Sequence, residues 1–446
     1  MSDLLNIGAS GLRAYRASLA VTGDNIANAQ TAGYARRSVR LAEVSITSAP
    51  DFRYRNRTRF DGVDIGATLR ATDTWRTSDA RLAASVHGKA ETVATWMTVA
   101  ETGLSDSDTG TGASLAGMFA AGTALAADPL SRAPRSAFLA SIDTAASSIR
   151  INATELSRAA TGIAGAAQAS VEGFNANLKA LADANLAIRR TPAGSSANAE
   201  LADLRDQLID QIAGQTDVSV TVAADGSAIL TRAGATLVAD GKSAVLALTV
   251  AADGRLSFAQ TFDAAVSVYS PSGGTIGGVT TSASIVADRR VALDTLASDF
   301  ATALNSWHGG GRTTGGASGT ALLDASGGAI TIAALVTDPA QLAAADTGGT
   351  SNGNMIMLSG VRTASGVENQ WAALVATQAQ VTASARTDET RSSARKDTAD
   401  AARDLVDGVD LDREAADLIR FQQAYEASAR VIQIAKETVD TILRMF

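Results

Sequence analysis

The sequence predicts a mainly α-helical protein with a β-rich insertion in its middle, which places it in the α+β class. Three observations lead to this prediction. Long alanine-rich stretches carry apolar residues at helical spacing, both ends of the chain carry seven-residue apolar repeats, and Asp-Gly pairs separate short alternating segments in the middle. Hydrophobic residues make up 46% of the 446 residues but aromatic residues only 4%, a balance that favours helices packed side by side over one thick globular core.

The N-terminal 35 residues are predicted to form a helix with one narrow apolar face. Leu5, Leu12, Leu19 and Ile26 follow one another at seven-residue intervals along it. Such a repeat keeps a single seam along the helix and therefore requires a partner helix. We expect residues 1–35 to form a coiled-coil layer with the other end of the chain.

Residues 36–71 are predicted to be extended, as a linker or β-hairpin. Within them Arg53, Arg55, Arg57 and Arg59 alternate with aromatic and small polar residues, so four guanidinium groups would share one strand face. Three interpretations are open: a strip that binds nucleic acid, a contact with acidic neighbouring subunits, or an exposed and solvated hairpin. The acidic charge of the whole chain disfavours nucleic acid and favours the subunit contact.

The middle of the chain is predicted to start with helices. Residues 72–215 should form the outgoing part of a helical bundle, with a loop near residues 103–113. A further break is expected at Pro129 and Pro134, because proline interrupts the helical hydrogen-bond ladder.

The helices are then expected to give way to strands and to return. Residues 216–282 are predicted to be β-rich, because Asp-Gly pairs at 225–226, 240–241 and 253–254 favour hairpin turns. Residues 283–407 are predicted to be the returning part of the helical bundle, with a short strand near 330–336.

Residues 408–446 are predicted to form a second heptad-patterned helix, with Asp410 and Asp412 at the expected N-cap positions. Its seven-residue repeat is longer than the one at the N-terminus. The predicted seam consists of Leu411, Leu418, Tyr425, Ile432, Val439 and Phe446. Because chain ends normally fray unless they are tied down, we expect both terminal helices to find partners in neighbouring subunits.

Composition excludes several classes of function. The net charge of −8 disfavours binding to nucleic acid and to anionic membranes. The chain has no cysteine, which excludes thiol chemistry, and His87 and His308 are its only histidines, so a histidine-based catalytic or metal site is not expected. No cleaved signal peptide and no membrane insertion are expected, because the N-terminus lacks a basic region followed by an apolar stretch and no long apolar run occurs.

Two segments could suggest chemistry, and neither is expected to carry it. Residues 307–312 are rich in glycine, like an oxyanion or phosphate loop, but no nucleophile motif accompanies them. Asp106 and Asp108 lack the further spaced ligands and the closing glutamate of a calcium loop. We therefore predict no enzyme activity, no cofactor and no metal.

Both ends of the chain resemble a known family. Asn25, Asn28, Thr31, Gly33 and Tyr34 lie in the segment NIANAQTAGY, which resembles the N-terminal signature of flagellar rod, hook and hook-associated proteins. The segment AYEASARVI at residues 424–432 is similar to the closing motif of the same proteins.

The middle resembles one member of that group. The segment DLRDQLID at residues 203–210 and the β-prone residues after it resemble the hook-associated protein at the hook–filament junction, the FlgK family. Taken without the resemblance, the alternating charges of this segment are interpreted as a solvated helix face.

The resemblance implies a structural subunit of the bacterial flagellum that functions in motility. It implies export in an unfolded state by the flagellar secretion system and assembly into a helical ring outside the cell, with the terminal helices as the inner layer. The implied partners are further copies of the chain, the hook protein, a second junction protein, flagellin, and an export chaperone at the C-terminal helix. The separate outer β domain of many family members is expected to be reduced or missing.

Three alternatives differ in class. A hook or distal-rod protein of the same superfamily would share the end motifs. A chemoreceptor-type signalling protein would need a membrane span or a longer uninterrupted heptad hairpin. A secreted enzyme anchored by filament-like ends would be exposed by an activity screen with His308→Ala as the control.

Overall fold

The fold is given by a computed structural model that describes residues 2–31, 33–47 and 58–444. The helices are α1 (Ser2–Ala27), α2 (Thr74–Gly103), α3 (Thr111–Ala127), α4 (Arg132–Arg190), α5 (Ser196–Gln215), α6 (Gly274–Gly310), α7 (Gly353–Ser365), α8 (Val367–Asp407) and α9 (Leu411–Leu443). The strands are β1 (Arg37–Thr47), β2 (Thr58–Arg70), β3 (Ser219–Val222), β4 (Ala228–Arg232), β5 (Ala235–Ala239), β6 (Lys242–Ser243), β7 (Val245–Val250), β8 (Leu256–Phe262), β9 (Ala265–Tyr269), β10 (Leu323–Asp324) and β11 (Ala333–Ala334).

The predicted α+β class is confirmed. Long helices occupy both ends of the chain, a bundle of helices fills its body, and antiparallel sheets lie between α5 and α6. The chain leaves the terminal helices through the β1–β2 hairpin and returns to them at the end of α8. No helix of the described residues combines the length and the apolar character that a membrane span requires.

The helix α4 organises the body because two hydrophobic cores share it. Its first half packs with α2, α3, α6 and α8 around fully buried Phe138 and Trp371. Its second half packs with α5 and the sheets around Phe174 and Leu178. At 59 residues, α4 alone is about 88 Å long.

Two prolines show where the helix breaks lie. The chain breaks after α3, at a loop that contains Pro129, as predicted. Pro134 lies in the first turn of α4 and not in the break. A proline is tolerated there, because a first-turn backbone N–H has no partner within the helix.

The β-rich region consists of one sheet ordered β3-β4-β5-β6 and another ordered β7-β8-β9. Asp240 and Gly241 both have positive φ in the two-residue turn from β5 to β6, as predicted for an Asp-Gly pair. Asp263 and Ala264 also have positive φ and form the turn into β9, a strand that the Asp-Gly pattern did not reveal. The helix α6 begins at Gly274, inside the segment that the sequence assigned to the β-rich region.

Candidate assembly interface

The terminal helices α1 and α9 pack against each other in antiparallel orientation. Gly8, near the start of α1, faces Ile432 and Ser428 of α9, whereas Asn25, near the end of α1, bonds Glu414 at the start of α9. A Cβ atom added to Gly8 would lie 2.6 Å from Ile432 Cγ1 and 3.3 Å from the Ser428 carbonyl oxygen. The absence of a side chain at Gly8 is therefore what allows the two helices to approach so closely.

The hairpin covers another side of α1. The amide of Val63 in β2 donates a hydrogen bond of 3.1 Å to Ser10 Oγ. At Gly62, which has a φ of +96°, an added Cβ would lie only 3.1 Å from Ile7 Cα. The helix α1 is thus held between α9 and the β1–β2 hairpin.

The predicted N-terminal seam is only partly buried. Leu5, Leu12 and Leu19 are half-buried, and Ile26 is 37% exposed. The residues buried most deeply lie beside this seam and are smaller: Gly8, Ser10, Gly11, Ala14, Ser18, Val21, Thr22 and Asn25. Gly11, Ser18 and Asn25 are themselves seven residues apart, a repeat of small side chains that a search for leucine and isoleucine overlooks.

The predicted C-terminal seam is also only partly buried. Leu418, Ile432 and Val439 are half-buried, whereas Leu411 is 52% and Tyr425 is 37% exposed. Phe446 lies outside the described residues. The chain's own α1 therefore covers part of the seam that the sequence assigned to neighbouring subunits.

Asn25 joins the two terminal helices to the hairpin. Its side chain is 1% exposed, and its Nδ2 donates to the Arg37 carbonyl oxygen at 2.8 Å and to Glu414 Oε2 at 2.9 Å. Its Oδ1 accepts from the Arg37 amide at 3.0 Å and from the Tyr34 hydroxyl at 2.8 Å. One amide side chain thus satisfies groups from the hairpin, from the turn after α1 and from α9.

Tyr34 contributes to the same cluster through its hydroxyl and its ring. Burial raises the pKa of Tyr34 to about 12, so the phenol stays protonated and donates to Asn25. The guanidinium of Arg37 lies 4.8 Å from the centre of the Tyr34 ring, within the range of a cation–π contact.

The other signature residues shape the turn. Asn28 Nδ2 donates to the Asp24 carbonyl oxygen at 2.9 Å, and Thr31 Oγ1 donates to Asn28 Oδ1 at 3.2 Å. Gly33 has a φ of +78°, a backbone conformation that favours glycine. Asn25 is thus buried and Tyr34 half-buried in the cluster, whereas half-buried Asn28 and exposed Thr31 bond only within the turn.

Carboxylates of α5 and arginines of other elements form an ion-pair network. Arg37 Nη2 donates to Asp203 Oδ2 at 2.5 Å, and Arg70 in β2 donates to Asp203 at 2.7 Å and to Asp206 at 2.9 Å. Burial of Asp206 opposes ionisation, but Arg205, Arg70 and Arg81 together hold its pKa below the usual value. The interpretation of residues 203–210 as a solvated face is wrong, because the hairpin arginines bond Asp203 and Asp206, and Arg81 and Arg403 bond Asp210.

A second set of ion pairs connects the hairpin to α9. Arg36 Nε donates to Glu414 Oε1 at 2.6 Å, and Arg36 Nη2 donates to Asp417 at 3.3 Å. Glu414 is 1% exposed, so its negative charge is neutralised inside the protein. Asp410 caps α9 by accepting from the amides of Asp412 and Arg413, whereas Asp412 lies in the first turn.

The predicted arginine strip falls largely outside the structure. Arg53, Arg55 and Arg57 lie outside the described residues. The backbone of Arg59 belongs to β2, where it pairs with Ile46 of β1.

His308 has a structural environment and no catalytic partner among the described residues. Its Nδ1 lies 2.6 Å from the Thr320 carbonyl oxygen, and its Nε2 accepts from the Ala343 amide at 2.8 Å. This arrangement requires a neutral ring with the proton on Nδ1. The ring thereby attaches the segment after α6 to the end of that helix.

Acid is expected to destabilise the protein through His308. Burial lowers the pKa of His308 below the ordinary 6.5, so the unfolded chain binds the proton more readily than the folded chain. The stabilisation is complete above about pH 6.5 and is lost as the pH falls below it, by at most ~1.4 kcal/mol per pH unit. Chemical denaturation between pH 8 and 5 would measure this slope. His308→Gln should remove it and His87→Gln should not; an unchanged slope in His308→Gln would contradict the assignment.

The aspartates near residue 106 have a local role. Asp106 Oδ1 accepts from the Gly112 amide at 3.1 Å, at the start of α3. Across residues 2–31, 33–47 and 58–444, no group of three or more His, Cys, Asp or Glu side chains is placed to hold a metal ion.

Family models match three parts of the chain. A model of the flagellar hook-associated protein FlgK helical domain matches residues 97–323, which is just over half of the 446 residues. A model of the C-terminal part of the flagellar basal body rod FlgEFG proteins matches residues 407–445, and a flagella basal body rod model matches residues 5–34.

Curated relatives and one solved structure are similar to the chain. Flagellar hook-associated protein 1 of Salmonella typhimurium is 28% identical over 319 residues, which cover 69% of this chain and 57% of that relative's length. Flagellar hook-associated protein 1 of Bacillus subtilis is 25% identical over 487 residues, which cover 97% and 96% of the two chains.

The flagellar hook junction protein FlgK of Burkholderia pseudomallei is similar in fold, with a TM-score of 0.51 and 19% identity over 55% of this chain and 46% of that one. The two rod-protein models match the ends of the chain, and the helical-domain model matches the part between them. This is the order predicted from the end motifs and from residues 203–210. The chain therefore belongs to the family of the flagellar hook-associated protein FlgK, whose members are structural proteins of the flagellum and not enzymes.

Proposed function

We propose that this protein is a structural subunit that assembles as a helical ring at the hook–filament junction and connects the hook to the flagellin filament. The proposal rests on one observation: the terminal helices are held in place but still expose apolar side chains. They are bonded to each other and to the base of the hairpin through Asn25, Arg36 and Glu414, and the hairpin is bonded to α5 through Arg37 and Arg70. Yet they retain apolar side chains that nothing in the described chain covers.

The uncovered side chains form a stripe along α9. Val431, Ile434 and Ile442 are 36%, 61% and 37% exposed, and their spacing places them on one flank of the helix, beside the face that contacts α1. Leu4 of α1 is 48% exposed. A helix that is apolar on two flanks suits a position between two partners, as in a bundle of terminal helices from several subunits.

The matching ends support membership of a common axial structure but do not distinguish its members. They resemble rod proteins, whereas the helical-domain match over residues 97–323 favours the hook-associated position. Ring assembly requires contacts between different surfaces of identical copies. The hook protein, a second junction protein and flagellin are the further partners in this proposal.

Export belongs to the same proposal. We expect the chain to leave the cell unfolded through the flagellar secretion system, without a cleaved signal peptide. The exposed apolar stripe of α9 is then the first place to look for a bound export chaperone, because such a stripe needs cover before assembly.

A strain that lacks the gene tests the position in the flagellum. We expect electron microscopy to reveal normal hooks without filaments, and flagellin to appear in the medium. Absent hooks would contradict the junction position and favour the hook or distal-rod alternative.

Complementation of that strain tests the role of the α9 stripe. Ile434→Asp should fail to restore filaments although the purified variant unfolds at the wild-type temperature, because the side chain is already 61% exposed. Lys436→Asp is the matched control, since Lys436 is exposed on another side of α9. Full complementation by Ile434→Asp would show that the stripe does not serve assembly.

A further inference from the structure

A cleft opens where the terminal helices join the helical body. Its volume is about 820 Å³, within the range of protein binding sites. Its walls come from α2, α5, β3, the end of α8, and the base of the hairpin at Arg70. None of the roles described above requires an open cleft at this place.

One wall offers a strand edge and apolar side chains. In the sheet of the described residues β3 is an edge strand that pairs with β4 alone, and residues 218–222 all line the cleft. An edge strand leaves backbone N–H and C=O groups available to a further strand. Val222 and, on the α2 wall, Leu82 are 52% and 60% exposed.

The end of α8 adds two acids whose side chains accept no hydrogen bond from an arginine among the described residues. Asp404 is 70% exposed, and its nearest ion-pair partner among the described residues is Arg403 Nε at 3.9 Å. Asp407 Oδ1 is buried without a hydrogen-bond donor in the part of the chain that the structure describes. Burial raises the pKa of the Asp407 carboxyl above its usual value, as expected for a carboxylate without a bonded cation.

Each arginine that lines the cleft already donates to an aspartate, Arg205 to Asp206 among them, although Arg81 Nη2 has no hydrogen-bond partner among the described residues. Arg81 and Arg403 both donate to Asp210, at 2.6 and 2.9 Å, and Arg70 donates to Asp203 and Asp206. The charge that remains for an incoming molecule is therefore that of Asp404 and Asp407. A suitable occupant would be an extended chain with guanidinium groups on one face and apolar groups on the other.

One segment of this chain has that composition. In FRYRNRTRF, residues 52–60, arginines alternate with Phe52, Tyr54 and Phe60, and the segment contains no acid. We propose that the cleft binds residues 52–60 of a second copy of this chain as an added strand next to β3. Arginines then pair with Asp404 and Asp407, and aromatic side chains contact Leu82 and Val222.

A second copy is required because of the length of the hairpin. The base of the hairpin, at Arg70, lines the cleft, and the 13 residues of β2 extend about 40 Å along the strand from it to Thr58. Residues 52–57 would need to reverse and cover most of that length to reach the cleft of their own chain. The contact thus joins two copies of the chain, and it rests on the proposed function.

Fluorescence anisotropy with a labelled peptide of residues 50–61 and the full-length protein tests the proposal. We expect saturable binding, weakened about tenfold or more by the double substitution Asp404→Asn and Asp407→Asn, because each charge-assisted hydrogen bond is lost. Asp397→Asn is the matched control, since this exposed aspartate of α8 does not line the cleft. A peptide with all four arginines replaced by serine should not bind.

Three results would overturn the proposal. The peptide does not bind the wild-type protein, it binds the double variant equally well, or the serine peptide binds as well as the original peptide. Asp404→Asn alone, at a 70% exposed position, gives the same test if Asp407→Asn fails to fold. The deletion strain separates the two proposals: if it forms normal hooks without filaments while the peptide fails to bind, only the cleft contact is refuted.

Discussion

Replacement of Asn25 by leucine is expected to loosen α1 from α9 and from the base of the hairpin while the helical body stays folded. Leucine has nearly the same volume but cannot replace the four hydrogen bonds to Arg37, Tyr34 and Glu414. Each buried polar group left without a partner costs about 1–3 kcal/mol, and an unpaired buried charge costs more. The loss falls on the contact between the terminal helices and the hairpin, because the two hydrophobic cores lie elsewhere.

Limited proteolysis followed by mass spectrometry measures this effect. In Asn25→Leu, cleavage near residues 28–36 and 405–410 should become at least tenfold faster, while residues 74–404 remain protected. Asn28→Leu is the matched control, because Asn28 bonds only within its own turn. Equal cleavage rates in the two variants would show that Asn25 does not hold the ends.

Replacement of Gly8 by leucine is expected to separate α1 from α9. Even a Cβ would stand 2.6 Å from Ile432 Cγ1, and the remaining atoms of leucine would extend into α9. Overpacking costs about 1–3 kcal/mol where neighbours can adjust, and here the Ser428 carbonyl oxygen at 3.3 Å belongs to a helix backbone that yields little. Circular dichroism during heating should therefore show early loss of the helical signal of the ends, and the variant should not restore filaments to the deletion strain.

A substitution at Gly23 is the control for Gly8→Leu, because it should stabilise α1 and not destabilise it. A Cβ at Gly23 meets no atom within 4 Å among the described residues, and the residue lies in the same helix. Gly23→Ala should therefore stabilise α1 by ~0.5–1 kcal/mol, because alanine loses less conformational entropy in a helix. A Gly8→Leu variant as stable as Gly23→Ala would mean that the two helices do not pack as closely as Gly8 indicates.

The terminal helices and the hairpin turns were predictable because their signals are local. Seven-residue spacing marked α1 and α9, and Asp-Gly marked the turn at Asp240. The turn into β9 escaped because Asp263-Ala264 adopts the same positive φ values without glycine. The antiparallel pairing of β8 with β9 encloses that turn, with Phe262 opposite Ala265.

The cluster around Asn25 was predictable as a motif but not as a contact. The sequence singled out Asn25 and Tyr34, yet the partner Glu414 lies 389 positions away. Likewise the acids at 203–210 looked solvated, because their cations Arg37 and Arg70 come from a distant hairpin. Local periodicity carries no information on which charged surfaces the fold brings together.

The shared helix α4 has a mechanical consequence. Because one unbroken helix of 59 residues runs through both hydrophobic cores, the body has no flexible joint between them, and it should twist and bend as a single stiff rod. We expect a load on the body to be taken up where the body meets the hairpin and the terminal helices, at polar contacts such as Arg37–Asp203, Arg70–Asp206 and Arg36–Glu414. Hydrogen bonds and ion pairs can exchange partners without loss of a hydrophobic core, so we expect this connection to yield more easily than the body on one side of it and the paired terminal helices on the other.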